Sequence, residues 1–331
     1  MHIASATHER TSQFCVPSGD ADWSGDALIP DNGAFHAHFN RTDFLFNHGL
    51  AHHPMFELPA LAALAERIPK YQDFVYWQNG RVKVDDRWGT NPAPRLSLDQ
   101  TIDGIANNDS LVILKHAEQD PVYGPLLQAV LQRMFLVASP AAQADIVLGE
   151  SLIFINSPHR NTAYHLDLES SSLLQIAGEK WVHVGDANDR SLTAHIELEN
   201  HCNGDANGAV FKPERQEEAH LYHLTPGLGV HFPSTAPHWV ENGAEVSVSI
   251  NINYDLISAH QRLQRIYRVN RMIRRLGLEP TAPGISPFRD VLKTRLAIGV
   301  SAARKLLRRS GKELNDSDSY PVWRPARARL P

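Results

Sequence analysis

A β-rich barrel or sandwich carried between two helical regions is the fold class this 331-residue sequence predicts. Apolar residues recur at helical spacing up to about residue 137 and again after 255. Between Ile146 and Tyr254 the period becomes two, in short runs separated by Gly, Pro and Asn turns. With 42% hydrophobic and 21% charged residues, the chain is able to bury a core without staples.

In chain order, residues 1–35 hold Gly19, Asp20, Asp22, Gly25, Pro30 and Gly33, and are expected to form a mobile arm or a wrapping loop. Leu58, Leu61, Leu64 and Ile68 share one helical face, which predicts a helix over 58–68. Ser97 is placed to cap a second helix running to about Ala106. Leu111 to Leu114 is an unbroken apolar run of the kind found in buried strands, and Pro121 opens a long amphipathic helix to about Val137. Strands are predicted at Ser151–Asn156, Ala163–Asp167, Leu173–Ile176, Lys180–Val184, Leu221–Leu224, Gly229–Phe232 and Glu245–Asn253. Ala177-Gly178-Glu179 reads as a short hairpin between two of them. After Asp255, Phe288, Leu292, Leu296, Val300 and Leu307 mark an apolar stripe on a basic helix, and the tail from Asp316 reads as extended.

Composition excludes several function classes. No apolar run approaches the roughly 20 residues of a membrane span. Glu9 and Arg10 stand where a signal peptide would have its apolar core, so export is not expected. Cys15 and Cys202 alone rule out a disulfide scaffold or a Cys-rich metal module and fit a reducing cytoplasm. The net charge of −5 conceals an asymmetry. Residues 262–312 hold 14 Lys and Arg against Glu279 and Asp290, a net of +12, whereas residues 1–261 carry 15 bases and 32 acids, a net of −17.

Within the β-rich segment, His165 and Asp167 are two apart on a predicted strand, so they share a face. His238 follows in a Pro-containing stretch, Phe232-Pro-Ser-Thr-Ala-Pro-His-Trp. Two imidazoles and one carboxylate on one face leave coordination positions open, the arrangement of non-haem Fe(II) oxygenases. With 18 histidines and 21 aspartates, about one His-x-Asp is expected by chance and one is present. His116/Glu118 and His195/Glu197 are competing ligand sets of the same local standing.

The residues around His165 resemble a family. Thr162 lies three before it, and Gln175 and Lys180 lie ten and fifteen after it, in Leu173-Leu-Gln-Ile-Ala-Gly-Glu-Lys-Trp. Further on come Gly227-Leu-Gly-Val-His-Phe-Pro, His238 and Ser247-Val-Ser-Ile-Asn. This order is similar to that of the JmjC/cupin-like Fe(II)/2-oxoglutarate-dependent oxygenases of the small protein-hydroxylase type, over about residues 109–257. The resemblance implies a mainly β fold with helices, a double-stranded β-helix (the cupin or jelly-roll barrel) over 109–257. Around it the sequence divides into an arm and flanking helices over 1–108, basic C-terminal helices over 258–312 and a tail over 313–331, and the resemblance implies that the C-terminal helices dimerise.

It further implies Fe(II) on His165, Asp167 and His238, and 2-oxoglutarate as co-substrate. The far carboxylate of that dianion requires a cation and a hydroxyl. Lys180 and Thr162 resemble the residues that supply them, and no Arg or Lys occurs from Trp239 to Gln261 to compete. Asn251 resembles an asparagine near the metal-side carboxylate, with Asn253 on the same face as an alternative. Gln175 belongs to the same motif, and Ser171 stands where some relatives have Asn.

The reaction implied is hydroxylation of an unactivated C–H in a peptide or protein side chain or a small metabolite, consuming O₂ and releasing succinate and CO₂. The alternatives are a cupin-like metal-binding or regulatory protein without oxygenase activity, and an RNA-nucleoside hydroxylase that uses the basic helices. Docking of those helices on the acidic body, within or between subunits, accounts for the charge asymmetry without nucleic acid. The cluster His36, His38, His48, His52 and His53 is read as solvated loop histidines, with a second metal as the competing reading. Phe44, Phe46, Tyr76 and Trp77 are expected in the core, with a substrate groove as the alternative.

Overall fold

Residues 25–68, 74–87 and 94–309 are described by the computed structural model. Cys15, most of the N-terminal arm and the 313–331 tail lie outside the described residues. The strands are β1 (Phe44–Asn47), β2 (Val75–Asn79), β3 (Ser110–Lys115), β4 (Ile146–Asn156), β5 (Asn161–His165), β6 (Ser170–Ala177), β7 (Lys180–Val184), β8 (His220–Leu224), β9 (Leu228–Phe232), β10 (His238–Asn242) and β11 (Ser247–Leu256). They build two antiparallel sheets, β1-β9-β6-β11-β4-β3-β2 and β5-β10-β7-β8. From β4 to β11 the chain steps between the sheets at every connection except β7 to β8, so four strands of one face four of the other. This is the winding of a jelly-roll barrel, the double-stranded β-helix, as expected.

β11 shows how the sequence produces the two faces. Its even positions Val248, Ile250, Ile252 and Tyr254 are buried in the main core, whereas Ser247, Ser249, Asn251 and Asn253 point to the barrel interior. The main core lies between the outside of the larger sheet and the N-terminal helices. Those helices are α1 (Gly25–Leu28), α2 (Ala34–His38), α3 (Leu58–Arg67), α4 (Leu98–Asp103), α5 (Gly124–Val137) and α6 (Pro140–Asp145). α7 (His195–Cys202) follows β7, and α8 (Gln264–Arg275) and α9 (Pro287–Arg309) end the described chain.

Ser97 caps α4 in a reciprocal box: its Oγ accepts from Gln100 N at 3.3 Å, and Gln100 Oε1 accepts from Ser97 N at 3.1 Å. α5 begins at Gly124, later than Pro121, because the Asp120 carboxylate accepts the Val122 and Tyr123 N–H groups and holds a turn there. Within the expected arm, Leu28, Ile29 and Phe35 are buried in the core, so this part wraps. Phe46 is fully buried, and Phe44 and Trp77 pack on the same core.

One expectation is corrected. Ala177-Gly178-Glu179 is not a hairpin between paired strands, because β6 and β7 belong to different sheets. The turn is a corner between sheets: Gly178 has φ +66°, and a Cβ there would lie 2.5 Å from the Val246 carbonyl oxygen. The boundary at 108 separates two paired strands, β2 and β3, and β1 extends the other edge of the same sheet through β9. β10 and α7, which carry or flank the site, have no counterpart in the sequence reading; β10 is five residues between Pro237 and Gly243, too short for its alternation to stand out.

The stripe on α9 buries little within its own chain: Phe288 is 78% exposed and Leu292 57%.

Candidate active site

The barrel interior holds a cavity of about 370 Å³ between the two sheets. Thr162, His165, Lys180, Val182, His238 and Val240 line it from the smaller sheet, and Leu152, Phe154, Leu173, Asn251, Asn253 and Phe232 from the larger. Antiparallel pairing of β5 with β10 sets His165 directly opposite His238, with ring centroids 4.1 Å apart. Asp167 follows β5 in a loop tied to the β9–β10 connection, where Thr235 N donates to the Asp167 carbonyl at 2.7 Å and Ser234 Oγ to that of Leu168.

Each imidazole is oriented by its own strand. His165 Nδ1 donates to the Ala163 carbonyl at 2.8 Å and His238 Nδ1 to that of Ala236 at 3.0 Å. That fixes the tautomer and turns each Nε2 lone pair inward, as second partners of metal-bound histidines do. The two Nε2 atoms lie 3.9 and 3.8 Å from Asp167 Oδ2, too far for hydrogen bonds. Three donors therefore converge on one point without bonding one another, and the set fits a divalent cation. Burial first, and then the neighbouring His165, lower the His238 pKa to about 4, so its ring is neutral and available as a ligand.

Across the cavity stands Lys180, 3% exposed. Its Nζ donates to Ser249 Oγ at 2.9 Å and has no carboxylate partner among the described residues. Desolvation lowers its pKa to about 7. An ammonium in such a place fits the distal carboxylate of a dianion, and Thr162 lines the same cavity.

The asparagines join a further network. Asn251 Nδ2 and Ser171 Oγ both donate to Asn253 Oδ1 at 2.9 Å, and Asn253 Nδ2 reaches Glu150 Oε1 at 3.5 Å. Asn251 Oδ1 has no hydrogen-bond partner among the described residues. Behind Glu150, His116 Nδ1 lies 3.5 Å from both Glu150 Oε2 and Glu118 Oε1, and the other Glu118 oxygen accepts from Ser151 N and Oγ. Burial opposes the imidazolium, but Glu118 and Glu150 outweigh it and hold His116 above its ordinary pKa.

Of the nine residues expected at the site, His165, Asp167, His238, Thr162, Lys180, Asn251 and Asn253 line one cavity. Gln175 and Ser171 do not. Gln175 is fully buried and braces the β6–β7 corner, donating to the Ala177 carbonyl and to Ser247 Oγ. Ser171 acts one residue removed, on Asn253.

The competing pairs are accounted for otherwise. His116/Glu118 forms the part-buried ion pair just described. His195 bonds Tyr267 Oη at 2.7 Å, while Glu197 accepts from Ala194 N at the start of α7. Of the N-terminal histidines, His48 is buried and bonds Leu228 O and Leu50 N, and His53 caps a short 3-10 turn through Met55 N. No grouping of metal-ligating atoms forms among these histidines in the described residues.

Sequence reasoning missed Ser249 and His201. Ser249 was legible as the residue two before Asn251 on the polar side of β11, whereas His201 reaches the cavity from α7 and carries no local signal. Also unforeseen is Glu169, which with Asp255 and His260 brings ligand-type atoms within 4.8 Å of one another; burial and the neighbouring Asp167 and Asp255 push its carboxyl up to about 7.

Fold and site together define a double-stranded β-helix with a His-Asp-His face and a buried lysine across its cavity, the fold of the JmjC/cupin-like oxygenases that the sequence resembles. Among solved structures, the chain is similar to the ribosomal oxygenase YcfD of Escherichia coli, at 13% identity and a TM-score of 0.46. It is also similar to that enzyme in complex with cobalt and 2-oxoglutarate, at 15% identity and a TM-score of 0.43. These alignments cover 82% of this chain, which spans just under two thirds (66% and 64%) of the YcfD chains. A smaller region, 33% of the chain, is similar to 22% of Bacillus subtilis oxalate decarboxylase, at 15% identity and a TM-score of 0.23. No family model and no curated protein matches the chain.

Proposed function

We infer that this protein is an Fe(II)- and 2-oxoglutarate-dependent dioxygenase that hydroxylates an unactivated C–H of a peptide or protein side chain or of a small metabolite. The observation that carries the reading is Lys180: a buried ammonium without a carboxylate partner among the described residues, facing the same cavity as three convergent metal donors. Neither half explains the other unless an anion bridges them. His165, Asp167 and His238 would hold the metal, Lys180 and Thr162 the far carboxylate, and Asn251 would stand beside the metal-side carboxylate. When bound, iron and oxoglutarate supply the oxidising chemistry, with O₂ consumed and succinate and CO₂ released.

The chain's own part is positioning. Ala163 and Ala236 carbonyls hold the imidazole protons away from the cavity, and Ser249 aims Lys180. The apolar walls Leu152, Leu173, Val182 and Phe232 limit water around the reacting atoms. The exposed stripe of Phe288, Leu292 and Leu296 supports a homodimer through α9, and a buried free thiol at Cys202 suits a reducing cytoplasm. Among the described residues no helix is long and apolar enough to cross a membrane.

The test is oxoglutarate turnover to succinate with Fe(II), ascorbate and a panel of peptides and small metabolites, together with oxoglutarate binding in the presence of Mn(II). His165→Ala, Asp167→Ala and His238→Ala are each expected to abolish turnover. A folded protein that neither binds oxoglutarate nor converts it would end this reading.

A further inference from the structure

A second cavity, of about 480 Å³, lies where α7, α8 and α9 meet. Gln264, Arg268, Arg271 and Arg275 line it from α8, Ala297 lies on its α9 side, and His201 closes its α7 end. Positions 268, 271 and 275 fall on one helical face and span about 10 Å at about 1.5 Å per residue. Among the described residues, Arg268 and Arg275 have no hydrogen-bond or ion-pair partner, and Arg271 donates only to the Asn203 carbonyl, at 3.3 Å.

Of the acids nearby, Glu199 and Glu279 are engaged with Arg274 and Asp290 with Arg262, while Asp205, beside Gly204 on the rim, accepts from Asn207 N and pairs with no arginine among the described residues. Docking within the chain therefore leaves the groove arginines uncompensated among the described residues, in a segment whose net charge is +12. Phe288 and Leu292 project from the side of α9 away from Ala297, whereas Val300 of the same stripe lines the groove, so a partner copy seated on Phe288 and Leu292 would leave the arginine face of α8 open.

We propose that this groove binds the phosphodiester backbone of a nucleic acid. Guanidinium groups present flat forks that match phosphate oxygens. A strand carries one charge about every 3.4 Å of axis, so a 10 Å row of arginines spans about three phosphates. The arginines stand beside Val269, Met272, Ala297 and Val300, and no Phe, Tyr or Trp lines the groove to stack on bases, so the contacts are read as phosphate contacts, independent of sequence. His201 also lines the catalytic cavity, which sets a strand in the groove one side chain away from the candidate active site.

The experiment is fluorescence anisotropy with a mixed-sequence 20-nucleotide RNA and its DNA counterpart, using the full chain without added metal or oxoglutarate, at 50–200 mM salt. The triple variant R268Q/R271Q/R275Q is expected to weaken binding at least about 10-fold. It should also lower the slope of log affinity against log salt by about 2, the value for three single-strand phosphates. R295Q, on the α9 face turned away from the groove, should change neither. Thermal melting of the triple variant should match the parent; if it does not, the single changes R268Q and R275Q, at exposed arginines without partners, carry the test.

An unchanged slope in the folded variants, or an equal loss in R295Q, overturns the proposal. So does competition by poly-glutamate as strong as that by unlabelled RNA, which would assign the groove to an acidic protein. Because binding is measured without cofactors, its failure leaves the oxygenase reading untouched, and the reverse holds too.

Discussion

Lys180 carries a conflict that a single substitution can expose. The folded protein gives up its proton near pH 7, whereas the unfolded chain holds it to about 10.5. Between those values the unfolded state binds more protons, so stability rises with pH, and the full penalty is present below about 7. Lys180→Met is therefore expected to stabilise the ligand-free protein by about 2–4 kcal/mol at pH 6. The gain should shrink steadily towards pH 10.5, while oxoglutarate affinity falls about 10- to 100-fold through loss of the charge-assisted contact. Melting curves at pH 6 and 9.5 and a titration with Mn(II) present measure both; a destabilised variant at pH 6 would contradict the account.

His116 has the opposite sign. Its folded pKa is raised by Glu118 and Glu150, so its contribution is complete below the ordinary value of 6.5 and is lost as pH rises through the folded value. His116→Gln should cost about 2–3 kcal/mol at pH 5.5 and clearly less at pH 8.5, read from denaturant midpoints. A deficit of the same size at both pH values would show that packing, and not charge, is what the residue supplies.

The elements were legible where local geometry alone decides. Ser97 three residues before Gln100 announces a capping box, and Ser97→Ala is expected to lower stability by about 1 kcal/mol, checked by urea denaturation. The alternation Ser247-Val-Ser-Ile-Asn-Ile-Asn separates core from cavity along β11 without any structure, because a strand's side chains point to opposite faces in turn. Elements were missed where they are short and bounded by turn residues, as β10 is, or where the signal is ambiguous. The tight turn at Gly178 is the clear example: a glycine between two strand runs is compatible with a hairpin and with a corner between sheets, and only sheet membership separates them. Gly178→Ala combines φ +66° with a Cβ against the Val246 carbonyl, and is expected to cost about 2 kcal/mol or more by the same measurement.

At the scale of the molecule, two sheets close around a cavity whose two ends hold opposite chemistry, donors for a cation at one and an ammonium at the other. The α9 stripe adds an assembly surface: Phe288→Asp with Leu292→Asp is expected to convert a dimer into a monomer by light scattering, and a parent protein that is already monomeric at high concentration would remove the dimer. Periodicity in the sequence was sufficient for a β-rich barrel or sandwich, for the shared face of His165 and Asp167 and for the polar face of β11, since each follows from the direction in which a strand presents consecutive side chains, whereas the jelly-roll winding and Lys180 were expected only through the resemblance to a family.

What spacing does not determine is which distant groups meet. The register of β5 with β10 brought His238 to His165 across 73 positions of sequence, and the pairing of β3 with β4 brought Glu150 to His116 and Glu118. Closure of the sheets set Gln175 and Ser171 behind the cavity and admitted His201 from α7. Local backbone geometry assigns a face to each residue; only the packing of the two sheets decides what each face meets.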